Sequence, residues 1–143
     1  MKRFGTLAAG LMLSTALATT SFADTITMWT MEEQPDRMAA QQRIADAFYA
    51  ASGHTVEIVP VTEKDIATRA TAAFAAGDLP DVLNHTVQHL LPFSTAGMLD
   101  AGAASEVIEN LGAGSFAAGP LGMASVDGET VSVPTDGWTQ LVV

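Results

Sequence analysis

Segments with strand patterns alternate with segments with helix patterns along this chain, and that order constrains the fold more than any other feature of the sequence. Residues 25–29 and 55–61 are short and rich in β-branched, alternating side chains, which favours strands. Residues 37–52 and 62–76 have apolar side chains at helical spacing. The order strand, helix, strand, helix predicts βαβ units, and therefore an α/β fold with a mostly parallel sheet flanked by helices.

Each of the two predicted helices has a candidate buried face and a glycine directly after its last residues. Gly53 and Gly77 suit the left-handed conformation that commonly follows a helix, and Thr62 is in position to cap the second helix. The expected buried residues are Ile44, Ala45, Phe48 and Ala51 in the first helix and Ile66, Ala70, Ala73 and Phe74 in the second.

The rest of the chain continues the alternation more weakly. Residues 81–84 are predicted to form a third strand, residues 85–96 a short helix containing Pro92, and residues 105–111 a weak helix. Asp127-Gly128 is a tight-turn signal, and residues 130–133 after it are expected to form a fourth strand. A lobe of about 110 residues can bury a modest core.

The first 23 residues have the three-part pattern of a secretory signal peptide. Lys2 and Arg3 precede an uncharged apolar run over residues 4–17, and small residues ending in Ala23 precede the expected cleavage site. The run is shorter than the roughly 20 residues of a membrane span, and a buried N-terminal helix is the alternative. We therefore expect export to the periplasm and a mature chain that begins at Asp24.

Composition narrows the classes of partner. The chain has no cysteine, so disulfides and a lipid anchor on a cysteine are excluded, and an apolar core alone must stabilise the fold. Six basic residues stand against sixteen acidic ones, for a net charge of −10. A nucleic-acid-binding protein needs a basic stripe to meet phosphates, and this sequence has none. We expect no nucleic-acid partner and no adsorption to anionic lipid.

Several short segments occur in a specific order and spacing. The most specific is Ala-Ala-Phe-Ala-Ala-Gly-Asp-Leu-Pro-Asp-Val at residues 72–82. The others are residues 26–30, residues 48–53 before residues 56–60, Gly97-Met98-Leu99, and Asp127-Gly128 before residues 131–134. Together these segments resemble the extracellular solute-binding proteins of ABC importers, in particular the carbohydrate-binding group. Ser132 departs from that pattern, because these proteins usually carry an aromatic residue there.

The resemblance implies a two-lobed fold with a ligand cleft between the lobes. Two such lobes need roughly 250 residues, so we expect this chain to be an N-terminal part. It would comprise a signal peptide (1–23), an N-terminal lobe (24–131), and a hinge with the start of a missing second lobe (132–143). The resemblance also implies delivery of a small polar solute, above all a sugar, to an inner-membrane permease, without catalysis or a cofactor. The lobe alone is expected to bind ligand weakly or not at all, because half of the cleft is missing.

Candidate ligand contacts follow from the strand ends. In open parallel sheets, ligands bind beyond the carboxyl ends of the strands, and hydroxyl groups of a sugar pair well with carboxylate and amide side chains. Cationic ligands are also compatible with these acidic ends, whereas an anion would require basic residues, of which only Lys64 is near. The candidate contacts are Trp29, Glu32, Glu33, Glu63, Asn84, His85, Asp136 and Trp138.

Several of these candidates also have a purely structural interpretation. Trp29 at a strand end can equally be a core residue. Glu32 and Glu33 can stabilise the N-terminus of a helix, and Asn84 can cap the helix that follows it.

Two other classes of protein are alternatives. His85 and His89 have a spacing that can ligate zinc in a secreted metal-dependent hydrolase, but the glutamate of an H-E-x-x-H motif is absent, and no third ligand is obvious although His54 exists. The sequence has no G-x-S-x-G motif and no cysteine nucleophile. A structural module of the cell envelope has no positive support from repeats or aromatic content. We therefore expect a binding protein rather than an enzyme.

Overall fold

A computed structural model describes residues 24–135. The predicted signal peptide and two candidate contacts, Asp136 and Trp138, lie outside the described residues. The elements are β1 (Thr25–Thr30), α1 (Pro35–Ser52), β2 (Thr55–Pro60), α2 (Glu63–Ala76), β3 (Val82–Leu83), α3 (Val87–Thr95), α4 (Ala101–Leu111), a 3₁₀ turn (Ala113–Ser115), α5 (Ala118–Met123), β4 (Ser125–Val126) and β5 (Glu129–Thr130). Among the described helices, none combines the length and apolar character that a bilayer crossing requires.

Three parallel strands form the main sheet, in the order β2, β1, β3. In the central strand β1, Trp29 lies opposite Val59 on one side and Leu83 on the other. Successive side chains of a strand point to opposite faces, so Trp29 packs with residues of α2 and α3, while the Thr30 hydroxyl bonds to Gln41 of α1. Helices therefore lie on both faces, and the predicted α/β fold with a parallel sheet flanked by helices is confirmed.

Strand β3 has only two residues, and the side chain of Asp81 extends its connection to β1. Pro80, directly before it, has no backbone N–H to donate. The Asp81 carboxylate accepts a hydrogen bond from the backbone N–H of Thr27 at 2.8 Å. A carboxylate oxygen of Asp81 therefore accepts the hydrogen bond from β1 that a backbone carbonyl of a longer β3 would otherwise accept.

The main core lies between β1 and the helices α2 and α3. Ile66 and Ala70 have 0% exposure, which confirms the centre of the stripe predicted for α2, whereas Phe74 at its end is 42% exposed. The core consists of Trp29, Val61, Ile66, Ala70 and Phe93.

The buried face predicted for α1 is wrong in part. Ala45 is buried, but Ile44 is 71% exposed and Phe48 is 40% exposed. Neighbouring helix positions are about 100° apart, so a helix that contacts the sheet through Ala45 turns Ile44 away from it. The apolar face of α1 is wider than the part of the sheet that it covers.

Among the last described elements, α4 contacts β5 and α5 contacts β4, and β4 also contacts α3 of the main body. Helix α4 begins at Ala101, earlier than predicted, because the Asp100 carboxylate accepts from the N–H of Ala103 at 3.0 Å and caps the helix. Asp127 and Gly128 have positive φ values of 53° and 84°, which fit a type I′ turn, so the turn prediction is confirmed.

The fourth strand predicted at residues 130–133 is wrong in extent, and the observed strand does not join the main sheet. The observed strand Glu129–Thr130 pairs antiparallel with Ser125–Val126 and not with the main sheet. A type I′ turn reverses the chain directly onto the residues that precede it. The result is a two-residue hairpin.

Candidate functional site

The carboxyl ends of the three parallel strands meet at one edge of the sheet. The N–H of Val61, the first residue after β2, donates to the carbonyl of Thr30 at 2.8 Å. The N–H of Asn84, the first residue after β3, donates to the carbonyl of Trp29 at 2.8 Å. The segments that follow all three strands therefore start side by side, held to the end of β1. This edge is the candidate functional site.

An open groove of about 620 Å³ lies at this edge. Glu33 comes from the turn after β1, residues 62–64 lie at the start of α2 after β2, and Gln88 is in the first turn of α3. Asn84 and His85, which directly follow β3, do not line the groove. Two predicted contacts, Glu33 and Glu63, are brought together here. The groove is lined by Glu33, Thr62, Glu63, Lys64 and Gln88.

Sequence reasoning missed Gln88 as a groove residue. A signal was available, because a helix that starts directly after the third strand end places its first turn at the same edge. Thr62 occupies the N-cap position of α2 as predicted, but its hydroxyl donates to the Asp65 carboxylate at 2.7 Å and makes no bond to the helix backbone. The oxygen of Thr62 therefore keeps lone pairs for a ligand hydroxyl.

Trp29 lies behind the groove as a core residue. Its side chain is 7% exposed and packs in the main core. The guanidinium carbon of Arg69 lies 4.3 Å from the centroid of the indole, in a cation–π arrangement. In the described conformation, the indole is therefore part of the core, and it does not present an open face to a ligand.

Glu32 is engaged within the protein. Its carboxylate lies 2.7 Å from Nη1 of Arg37 in the first turn of α1, and it is not among the residues that line the groove. An exposed ion pair of this kind contributes little to stability. A ligand that contacts Glu32 would have to compete with Arg37.

Asn84 and His85 are half-buried at the end of β3. Asn84 does not cap α3, because the N-cap position is Thr86. Nδ1 of His85 lies 2.9 Å from the carbonyl of Thr86, and since a carbonyl only accepts, this nitrogen carries the proton. The ring of His85 meets the buried ring of Phe93 edge-on, with centroids 5.6 Å apart.

The imidazole of His89 stacks on the phenyl ring of Phe93, with centroids 5.4 Å apart. The two imidazoles thus pack around Phe93, and Nδ1 of His89 lies 3.3 Å from the hydroxyl of Thr86. Within residues 24–135, no three His, Asp or Glu side chains come together in an arrangement that could hold a metal ion. Both His85 and His89 therefore contact the ring of Phe93.

The protonation of His89 should make the stability of the lobe depend on pH. Burial lowers the pKa of His89 below its ordinary value of 6.5, His85 lowers the pKa further, and Glu63 partly opposes both. As the pH falls through 6.5, the unfolded chain therefore binds a proton before the folded protein does. The free energy of unfolding should fall from pH 6.5 down to the pKa of the folded state and then level off.

Chemical denaturation at a series of pH values checks this dependence. His89→Gln should remove the loss of stability below pH 6.5 that is due to this residue. His85→Gln should leave most of it, because burial is the larger cause. Parallel curves for the wild type and His89→Gln would contradict the assignment.

No protein-family model matches this sequence, and a search of curated proteins finds no match to it. Function is therefore inferred from the fold, from the groove residues and from the sequence resemblance.

Proposed function

We propose that this chain is the N-terminal lobe of a periplasmic solute-binding protein of an ABC importer, and that its ligand is a small polar solute of the sugar class. The observation that carries the proposal is the groove at the carboxyl edge of the sheet, which is lined by the segments after β1 and β2 and by the first turn of α3. Ligands of open parallel α/β sheets bind at this edge. The segments at residues 72–82 and 97–99, which resemble the solute-binding family, support the same class.

The side chains of the groove suit a neutral polyol. Glu33 and Glu63 accept hydrogen bonds, Lys64 donates them, and Gln88 does both. Each sugar hydroxyl both donates and accepts, so a mixed set of groups can pair with several hydroxyls at once. An anionic ligand fits less well, because two carboxylates face a single ammonium in the groove.

The groove is open, so this lobe contacts one side of a ligand. Sites that bind small molecules tightly enclose about 70–90% of the ligand surface. In the proposed protein, a second lobe supplies the opposite side and closes over the ligand by a hinge motion. The closed form then docks on an inner-membrane permease whose ATPase partner drives transport. This lobe alone should bind with a dissociation constant of about 1 mM or weaker.

A titration of the ¹⁵N-labelled chain with neutral mono- and disaccharides tests the proposal. Amide resonances of the groove segments, residues 33, 62–64 and 88, should shift first and most. Glu33→Gln and Glu63→Gln should each weaken binding by roughly threefold to tenfold, because each removes a charged hydrogen-bond acceptor. NMR spectroscopy detects such weak binding and also locates it on the lobe.

Glu109→Gln is the matched control, because Glu109 is exposed on α4 and does not line the groove. This variant should bind as the wild type does. Saccharide-induced shifts confined to another surface, or none even at about 100 mM saccharide, would contradict the proposal. A parallel titration with spermidine separates the ligand classes, since groove shifts with the polyamine alone would rule out the sugar class.

A further inference from the structure

Thr30, the last residue of β1, is fully buried and joins separate parts of the site. Its exposure is 0%. Among the polar residues in the described part of the chain, Thr30 is the one that is buried. The hydroxyl oxygen accepts from the backbone N–H of Glu32 at 3.2 Å and from Nε2 of Gln41 at 3.0 Å. One oxygen therefore connects the end of β1, the turn that carries Glu33, and helix α1.

Gln41 makes this connection through one of the two polar atoms of its amide. Its carbonyl oxygen Oε1 is buried and has no hydrogen-bond partner among the described residues. A buried polar atom without a partner destabilises a folded protein, whereas an apolar side chain of similar size avoids that cost. The contact of Nε2 with Thr30 is the interaction that an apolar side chain at this position would lose.

We infer that Thr30 and Gln41 are positioning residues that fix the turn after β1 and thereby the direction of Glu33 in the groove. A threonine hydroxyl bonded to the N–H two residues later is a known turn-forming contact. Since Glu32 directly precedes Glu33, anchoring its N–H sets where the Glu33 side chain starts. The consequence for ligand affinity rests on the proposed function, whereas the consequence for the turn does not.

Two substitutions of Thr30 separate the hydroxyl from the packing of the side chain. Thr30→Val retains the shape and loses the hydroxyl. Thr30→Ser loses a methyl group and retains the hydroxyl. In Thr30→Val, hydrogen exchange at the Glu32 N–H should be about threefold to tenfold faster, and saccharide binding should weaken by a similar factor. Thr30→Ser should retain wild-type exchange at Glu32 and wild-type binding.

Gln41→Leu supplies an independent test if Thr30→Val folds poorly. This variant removes the amide together with its unpaired carbonyl, so its midpoint of thermal unfolding should equal or exceed that of the wild type. Its saccharide binding should still weaken. Thr25→Val is the matched control, because Thr25 is exposed at the opposite end of the same strand, and it should change neither exchange at Glu32 nor binding.

The outcomes distinguish the inference from the proposed function. Wild-type exchange at Glu32 in Thr30→Val would overturn the positioning role, and so would equal effects of Thr30→Val and Thr30→Ser. If the wild type shows no saccharide-induced shifts, the proposed function fails, and hydrogen exchange at Glu32 still decides whether Thr30 anchors the turn.

Discussion

Replacing Ile66 with alanine is expected to lower the free energy of unfolding by about 2–5 kcal/mol. Ile66 has 0% exposure at the centre of the main core, where α2 faces β1. Truncation removes buried methylene and methyl groups and leaves a cavity that the surrounding side chains fill only in part. Denaturant titration, with the midpoint and slope compared to those of the wild type, measures the loss.

The matched control is Ile44→Ala on α1. Ile44 is 71% exposed, so the same chemical change should alter stability by no more than about 0.5 kcal/mol. Equal losses at Ile44 and Ile66 would contradict the described packing. Such a result would favour the wider buried face that the sequence pattern of α1 predicts.

Local patterns were sufficient to predict the elements of the first half of the described fold. The strands β1 and β2, the helices α1 and α2, and the glycines after those helices follow from side-chain alternation, helical spacing and the left-handed conformation of Gly53 and Gly77. The extent of burial on α1 was not predictable in the same way. It depends on how many strands lie beneath the helix, which no local pattern encodes.

The hairpin was mispredicted for a related reason. Asp127-Gly128 correctly indicated a tight turn, but the two strands beside it have only two residues each. Strands that short show no alternation, so the sequence could not indicate that the second strand pairs with Ser125–Val126 instead of joining the main sheet.

The candidate site was predictable at the level of the sheet edge but not at the level of every side chain. The rule that strand ends converge correctly brought Glu33 and Glu63 to one groove. The environment of Trp29 depends on Arg69, which is distant in sequence and covers the indole. The contribution of Gln88 depends on the direction in which α3 leaves the end of β3. Both are tertiary features that arise only when the helices pack.

Phe93→Ala is the second substitution with a large expected effect, a loss of about 3–5 kcal/mol in the free energy of unfolding. Phe93 is 3% exposed and belongs to the main core, and its ring also contacts both His85 and His89. Removal of the ring therefore creates a large cavity beneath the segment that carries the groove residue Gln88. Thermal and denaturant unfolding measure the loss of stability.

A second readout tests the connection between this core residue and the site. The imidazole resonances of His85 and His89 should move toward their values in the unfolded chain, because both rings lose the aromatic contact that orders them. Phe74→Ala is the matched control, since Phe74 is 42% exposed at the end of α2 and should lose less than half as much stability, with the histidine resonances unchanged. If Phe93→Ala destabilised the lobe while both imidazole resonances stayed in place, the core and the β3–α3 edge would be independent, because the histidines would then owe their order to Thr86 and not to Phe93.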